Sequence, residues 1–319
     1  MTHLERAELL RTGAPVIEVS TSTDVGRVRP NNEDYARAEK VARGDRHFSI
    51  WAVADGVGGG PQGERASLTA VETAVDYLAN ERWTDPAAAL TEAFTLANRN
   101  VFAITGNGAA ASTLVVAVVS EPDATVVIAN VGDSRAYLVT GGKASQITHD
   151  HSLVAARVAA GQITADEARA APDRNVLTRS IGSEPVVLVD VFGPRPIQPL
   201  ERLVLCTDGI HGMIEDPAIG QLASGLTVAE SANALVAAAL EAGGRDNATA
   251  LVGGFAMAAA NGQASAPTPT AAAATNGVSQ APTSGSGASS SETPARSVAH
   301  RSPRLSILSA ITRSRSPYD

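Results

Sequence analysis

Four apolar runs follow one another at 113–119, 125–131, 136–139 and 144–148, the last two joined through Gly141-Gly142. Strands spaced this closely leave no room for crossover helices, so they pair antiparallel. Further strand-like runs lie at 48–54, 186–191, 202–207 and 248–255. Helical patterns occupy about 64–80 and 86–104, the second with Pro86 at its first turn, then 153–160, 164–170 and about 228–242. The helices come in blocks and do not alternate with strands, which predicts an α+β sandwich of sheets covered by paired helices.

After Phe255 the composition changes. Residues 257–319 are mostly Ala, Ser, Thr, Pro and Gly without apolar periodicity, which predicts a disordered tail. Five arginines against Glu292 and Asp319 leave that tail at +3, so the rest of the chain carries −11 of the overall −8. An acidic body with no aromatic-basic face disfavours nucleic-acid binding. Only Lys40 and Lys143 are lysines, and neither sits in a Walker A loop, which excludes a P-loop nucleotidase. A lone cysteine, Cys206, in an apolar run reads as a small buried hydrophobe. The first twenty residues carry Glu5, Arg6, Glu8 and Arg11 where a signal peptide needs an apolar stretch, and no run is long enough to span a membrane. A cytoplasmic protein is expected.

Gly58-Gly59-Gly60-Pro61-Gln62-Gly63 spells a dinucleotide fingerprint, but the helix after it leads into another helix where a Rossmann unit needs a strand. A more informative feature is four aspartates in one setting. Asp55, Asp133 and Asp208 each close an apolar run, and Asp246 opens the last one. One such Asp is an ordinary turn residue. Four on one rim would repel one another unless cations intervened, and oxygen-only ligands suit Mg²⁺ or Mn²⁺. The segment 23–34 adds Glu33 and Asp34 beside Arg29, whose planar fork matches a phosphate; pairing of Arg29 with Glu33 or Asp34 is the plainer alternative. Of the six histidines only His149 and His151 have a spacing that could suit zinc, and on a strand-to-loop segment they point apart and read as polar surface.

Six motifs occur in order: Arg29-Pro30-Asn31-Asn32-Glu33-Asp34, Ala54-Asp55-Gly56-Val57-Gly58-Gly59, Asn130-Val131-Gly132-Asp133-Ser134-Arg135, Leu177-Thr178-Arg179-Ser180-Ile181-Gly182, Cys206-Thr207-Asp208-Gly209 and Gly244-Arg245-Asp246-Asn247-Ala248-Thr249. Together they resemble the metal-dependent type 2C Ser/Thr protein phosphatases (the PPM family), bacterial branch. The resemblance implies a four-layer α-β-β-α sandwich, two antiparallel β-sheets flanked by paired helices. It implies a catalytic domain over 17–256 with a flap at about 151–176, a short extension at 1–16 and the tail at 257–319.

For the site, the resemblance implies two or three Mn²⁺ or Mg²⁺ ions. Asp55 corresponds to the bridging carboxylate, the Gly56 carbonyl to a further ligand, Asp208 and Asp246 to ligands of the second ion and Asp133 to a ligand of a looser third. Glu33, Asp34 and Asn247 correspond to residues holding metal waters, and Arg29 to the phosphate-binding arginine. The implied reaction is hydrolysis of phosphoserine and phosphothreonine in proteins by direct attack of a metal-bridging hydroxide, opposing a cognate Ser/Thr kinase, in a monomer. A weakly active or non-catalytic phosphoprotein-binding regulator is the alternative. One departure bears on chemistry: many members carry His at the position of Val57 or of Gly60, as a candidate proton donor to the leaving oxygen, and this chain has neither. His211 is an alternative donor.

Overall fold

A computed structural model describes residues 15–257, apart from Asn107 and Pro122. The expected tail, beyond Met257, lies outside the described residues. In chain order, β1 (Pro15–Asp24), β2 (Asp34–Arg43) and β3 (Arg46–Val57) precede helices α1 (Pro61–Asn80) and α2 (Pro86–Ile104). Next come β4 (Ala111–Ser112), β5 (Leu114–Ser120), β6 (Thr125–Val131), β7 (Arg135–Thr140) and β8 (Lys143–Gln146). Short helices α3 (Leu153–Ala159) and α4 (Ala165–Ala170) lead to β9 (Asp190–Pro196) and β10 (Arg202–Cys206). The last elements are α5 (Asp208–His211), α6 (Asp216–Leu222), α7 (Val228–Glu241) and β11 (Ala248–Met257).

The strands form two antiparallel sheets. One runs β1-β11-β10-β7-β8, the other β2-β3-β5-β6-β9 with β4 paired to the end of β3. Along β3, Ile50, Ala52 and Ala54 face α1 and α2, whereas Trp51 and Val53 face the opposite sheet, because successive side chains alternate across a strand. Burial of both faces explains why the central strands read as unbroken apolar runs. Trp51 lies against Gly253 of β11: a Cβ there would stand 2.0 Å from the indole, so only glycine admits the ring between the sheets. On the outer face of the β1–β8 sheet, Val204, Ala250 and Val252 pack against Ile219, Leu235 and Val236 of α6 and α7. The architecture is the α-β-β-α sandwich the motifs imply.

Local chemistry sets the helix boundaries. Pro61 and Pro86 occupy first turns, and Asp85 accepts the Ala87 amide at 3.0 Å as an N-cap. Thr227 and Glu230 form a reciprocal capping box that starts α7. Two strands, β1 and β2, precede the first run that the hydropathy pattern marks out, and β1 begins inside the segment expected to be an extension. Both are edge strands with mixed polar and apolar residues. Arg37 on β2, for example, bonds Glu72 and Asp76 of α1 at 2.7 Å each. Among the described residues, no helix is long and apolar enough to cross a membrane.

Candidate metal centre

Register brings the acids together. Asp34, at the start of β2, pairs with Asp55 near the end of β3. The end of β6 leads to Asp133 in the next turn, and these residues belong to one sheet. From the other sheet, Asp208 follows β10 as the first residue of α5, and Asp246 stands in the turn just before β11. Arg29, Glu33, Asp55, Gly56, Asp133, Asp208, Asp246 and Asn247 all line one cavity of ≈ 120 Å³. Asp34 is placed behind them, its Oδ2 accepting from Thr207 Oγ1 at 2.9 Å.

The loop walls are held by backbone contacts. The Asn247 side chain accepts the Glu33 amide and donates to the Val25 and Asn31 carbonyls, each at 2.8 Å. Its amide group is thus committed to clamping the 25–33 segment onto the Asp246 turn. Glu33 accepts the Gly60 amide through Oε1 at 2.5 Å, and its own carbonyl accepts from Gly56 N and Ser67 Oγ. The glycine-rich loop is therefore a seat for a carboxylate. A Cβ on Gly63 would come within 2.0 Å of Glu33 Oε2, which is why that position has no side chain. Arg29 donates to Asp246 Oδ2 at 2.8 Å while 44% of its side chain remains exposed. Partial burial works against its charge, but Asp246, with Asp55 and Glu33 beyond it, raises its pKa overall.

Electrostatically the cavity is under strain as a bare protein site. Burial first, then the charges of Asp34, Asp208, Asp133 and Asp246, hold the Asp55 carboxyl well above the usual range. Burial followed by Asp208 and Asp150 does the same to Asp133. Asp208 is pushed up to about 6 by burial and Asp246, against opposing effects of Asp55, Arg29 and Arg174. Burial lifts Asp34 to about 7 although hydrogen bonds from Thr249 and Thr207 favour its ionised form. Asp34 Oδ1 and Asp208 Oδ1 are buried without any hydrogen-bond partner. With the Asp55 and Asp208 carboxyls both held above the usual range, the uncharged forms are favoured unless a cation intervenes. Among the described residues, no three Asp, Glu, His or Cys side chains close on a single point as a ready-made cage. The acids surround open space, which fits hard divalent ions that retain several waters.

Other candidates are removed. His211 is buried, donates Nε2–H to the Asp133 carbonyl at 3.0 Å and is pushed down to about 3 by burial and Arg135. It is a neutral support under Asp133 and cannot be the proton donor. His151 is 7% exposed, contrary to the surface expectation for the 149–151 pair; only His149 is exposed, its ring edge-on to Phe192 at 5.5 Å. Cys206 is buried in β10 with its thiol pushed up to about 12 by burial, so it supplies no thiolate nucleophile. A wider hollow of ≈ 520 Å³, lined by Arg43, Arg82 and Trp83, lies at the hairpin end of β2 and β3, away from every one of these acids. The cavity wall also includes Asn175 and Leu177, which the motif reading did not assign to the site. Both follow α4, and no local pattern distinguishes an Asn there from a turn residue.

Comparison with known proteins bears on this arrangement. The sequence pattern of the protein phosphatase 2C family matches residues 29–242. The chain is 34% identical over 247 residues to the serine/threonine phosphatase stp of Listeria monocytogenes, spanning 72% of this chain and 92% of that protein. The serine/threonine phosphatase of S. agalactiae superposes with a TM-score of 0.69 at 27% identity, covering 75% of this chain and 99% of the other. The catalytic domain of the serine/threonine protein phosphatase PstP, crystallised with two manganese ions, gives 0.64 at 29% identity over 76% and 99%. Sequence, fold and the carboxylates gathered round one cavity agree, and the chain belongs to the protein phosphatase 2C family.

Proposed function

We propose that the chain is a Mn²⁺- or Mg²⁺-dependent phosphatase of phosphoserine and phosphothreonine in proteins, with Asp55, the Gly56 carbonyl, Asp133, Asp208 and Asp246 holding two or three ions. One observation carries it above the others: carboxylates from both sheets face a common cavity, and one of their oxygens, Asp208 Oδ1, is buried there without a partner. The naming of the relatives as serine/threonine phosphatases, and the two manganese ions in PstP, support the same assignment. Residues 17–256 form the catalytic unit in this proposal. A phosphoprotein substrate made by a cognate Ser/Thr kinase, and a cytoplasmic monomer, complete it.

When bound, the ions supply Lewis acidity: they offset the carboxylates' repulsion, polarise phosphoryl oxygens and make water nucleophilic near neutral pH. The protein's own residues supply position and charge. Among the described residues no Ser, Thr or Cys lines the cavity, and its carboxylates are the groups that would hold the ions, which leaves water as the nucleophile. Arg29, at the exposed edge, turns its guanidinium from Asp246 towards the substrate and clamps two non-bridging oxygens as their charge grows. Glu33, seated on the Gly60 amide, accepts hydrogen bonds from water at the cavity wall, with Asp34, seated on Thr207, behind it. Arg29→Ala is expected to raise KM for a phosphopeptide about tenfold and lower kcat about tenfold, the effect of losing a charge-assisted bidentate contact. Initial-rate kinetics on the purified variant checks this.

The deciding experiment is phosphate release from a phosphothreonine peptide, with and without Mn²⁺, by the wild type beside Asp208→Asn. Release that needs Mn²⁺ and disappears in the variant is expected. Release by both proteins alike points to a contaminant, and release by neither favours a phosphoprotein-binding module.

A further inference from the structure

His151 lies outside the cavity, yet it joins three pieces of the site. Its Nδ1 accepts the Gly132 amide at 3.0 Å, which makes Nε2 the protonated nitrogen, and Nε2–H donates to Asp190 Oδ2 at 3.1 Å. Its backbone closes two more links: His151 N donates to the Gly132 carbonyl at 3.0 Å, and its carbonyl accepts from Thr178 N at 2.8 Å. Gly132 immediately precedes Asp133. Ser152 bridges to Leu177, and Leu153 N bonds the Val176 carbonyl at 2.8 Å, so residues 152–177 leave and return at this one point. That segment carries Asn175 and Leu177 to the cavity wall. Beyond the ring, Asp190 Oδ1 accepts from Arg179 Nη1 at 2.6 Å, which ties the imidazole to the residues following the segment. The charged groups around the ring are Asp190, Arg179 and Asp150.

We propose that His151 is a positioning residue of this site: through its imidazole, the placement of Asp133 and the seating of the 152–177 segment become one event. A polar side chain with both ring nitrogens engaged is stiff, and each bond it makes lands on a different element. Loosening it therefore frees the Asp133 turn and the segment together. The proposal rests on the phosphatase assignment only for its kinetic arm.

The test uses the full-length, metal-free protein. His151→Ala should raise amide hydrogen exchange at Gly132 and Thr178 by tenfold or more while amides of β10 and β11 keep wild-type protection. His151→Asn places Oδ1 where Nδ1 stood, so it should restore most of the protection at Gly132. In the Mn²⁺-loaded enzyme, His151→Ala should raise both the Mn²⁺ concentration for half-activation and the KM for a phosphothreonine peptide about fivefold, with His151→Asn between it and wild type. Unchanged exchange at either amide, or a uniform rise across the whole domain, overturns the proposal. Should His151→Ala fail to fold, the His151→Asn comparison decides on the same criteria. A wild type that shows the expected exchange pattern but releases no phosphate refutes the phosphatase assignment and leaves the coupling standing.

Discussion

Asp55→Asn is expected to lower Mn²⁺-dependent phosphate release by about 10³-fold or more, equivalent to roughly 4 kcal/mol of barrier. The same substitution should stabilise the metal-free protein. Asp55 stands half-buried among Asp34, Asp208, Asp133 and Asp246, and desolvation with their charges holds its carboxyl well above its ordinary range. A neutral amide of the same shape removes that repulsion without opening a cavity. Loss of activity with a gain in stability is the signature of a group kept for chemistry at a cost to the fold. Differential scanning fluorimetry in EDTA, run beside the activity assay, checks both halves.

The pH dependence follows from the same acids. Asp34 and Asp208 are raised to about 7 and about 6 in the fold, so the folded state binds protons that the unfolded chain has released. Stability of the metal-free protein is therefore full below about pH 4 as far as these groups are concerned, and is lost as pH rises towards 7. A loss on the order of a few kcal/mol corresponds to about 5–10 °C in thermal midpoint for a domain of this size. Mn²⁺ at pH 8 should reverse it, because bound cations replace the missing protons.

A second large effect concerns the leaving group. Among the described residues no imidazole lines the cavity: His211 is locked on the Asp133 carbonyl, and His151 is held between Gly132 and Asp190. Expulsion of a seryl or threonyl oxygen needs a proton, while p-nitrophenolate leaves without one. A positioned general acid contributes about 10²–10⁴-fold, so kcat on a phosphothreonine peptide should trail that on p-nitrophenyl phosphate by about 10²-fold or more. Val57 offers a means of rescue. It is 43% exposed, lines the cavity and sits at the end of β3 in ordinary extended backbone. Val57→His should raise the peptide rate about tenfold or more and leave the p-nitrophenyl phosphate rate nearly unchanged. Gly60, with φ 65° and ψ −142°, lies in a region few residues other than glycine adopt, so Gly60→His would carry strain that Val57→His avoids. Equal impairment on both substrates, relative to a family member that has the histidine, contradicts the assignment.

The parts of the fold legible in the sequence are those buried on two faces. β3, β5, β6, β10 and β11 sit between another sheet and a helix layer, so no solvent-facing residues interrupt their apolar runs. β1 and β2 are edges whose outward residues serve ion pairs and hydrogen bonds, and their composition resembles loop. α6 begins with Pro217 in its first turn and contains Gly220, too short and too broken for a periodic signal. In the site, Asp55, Asp133, Asp208 and Asp246 were legible because chain direction and strand pairing put their strand ends on one rim. His151 and Asn175 were not. His151 sits in a polar triplet whose burial depends on Gly132 and Asp190, nineteen and thirty-nine residues away. Asn247 was legible as a site residue, but its clamping of Val25, Asn31 and Glu33 depends on contacts more than two hundred residues distant.

The central claim is that the carboxylate cavity holds the divalent ions. Calorimetric titration of Mn²⁺ into the metal-free full-length protein at neutral pH, wild type beside Asp55→Asn, tests it without relying on turnover. Saturable uptake of two ions by the wild type, as in PstP, with that uptake abolished or weakened by a hundredfold in the variant, is the predicted result. No saturable uptake by the wild type, or the same stoichiometry and affinity in both proteins, contradicts it.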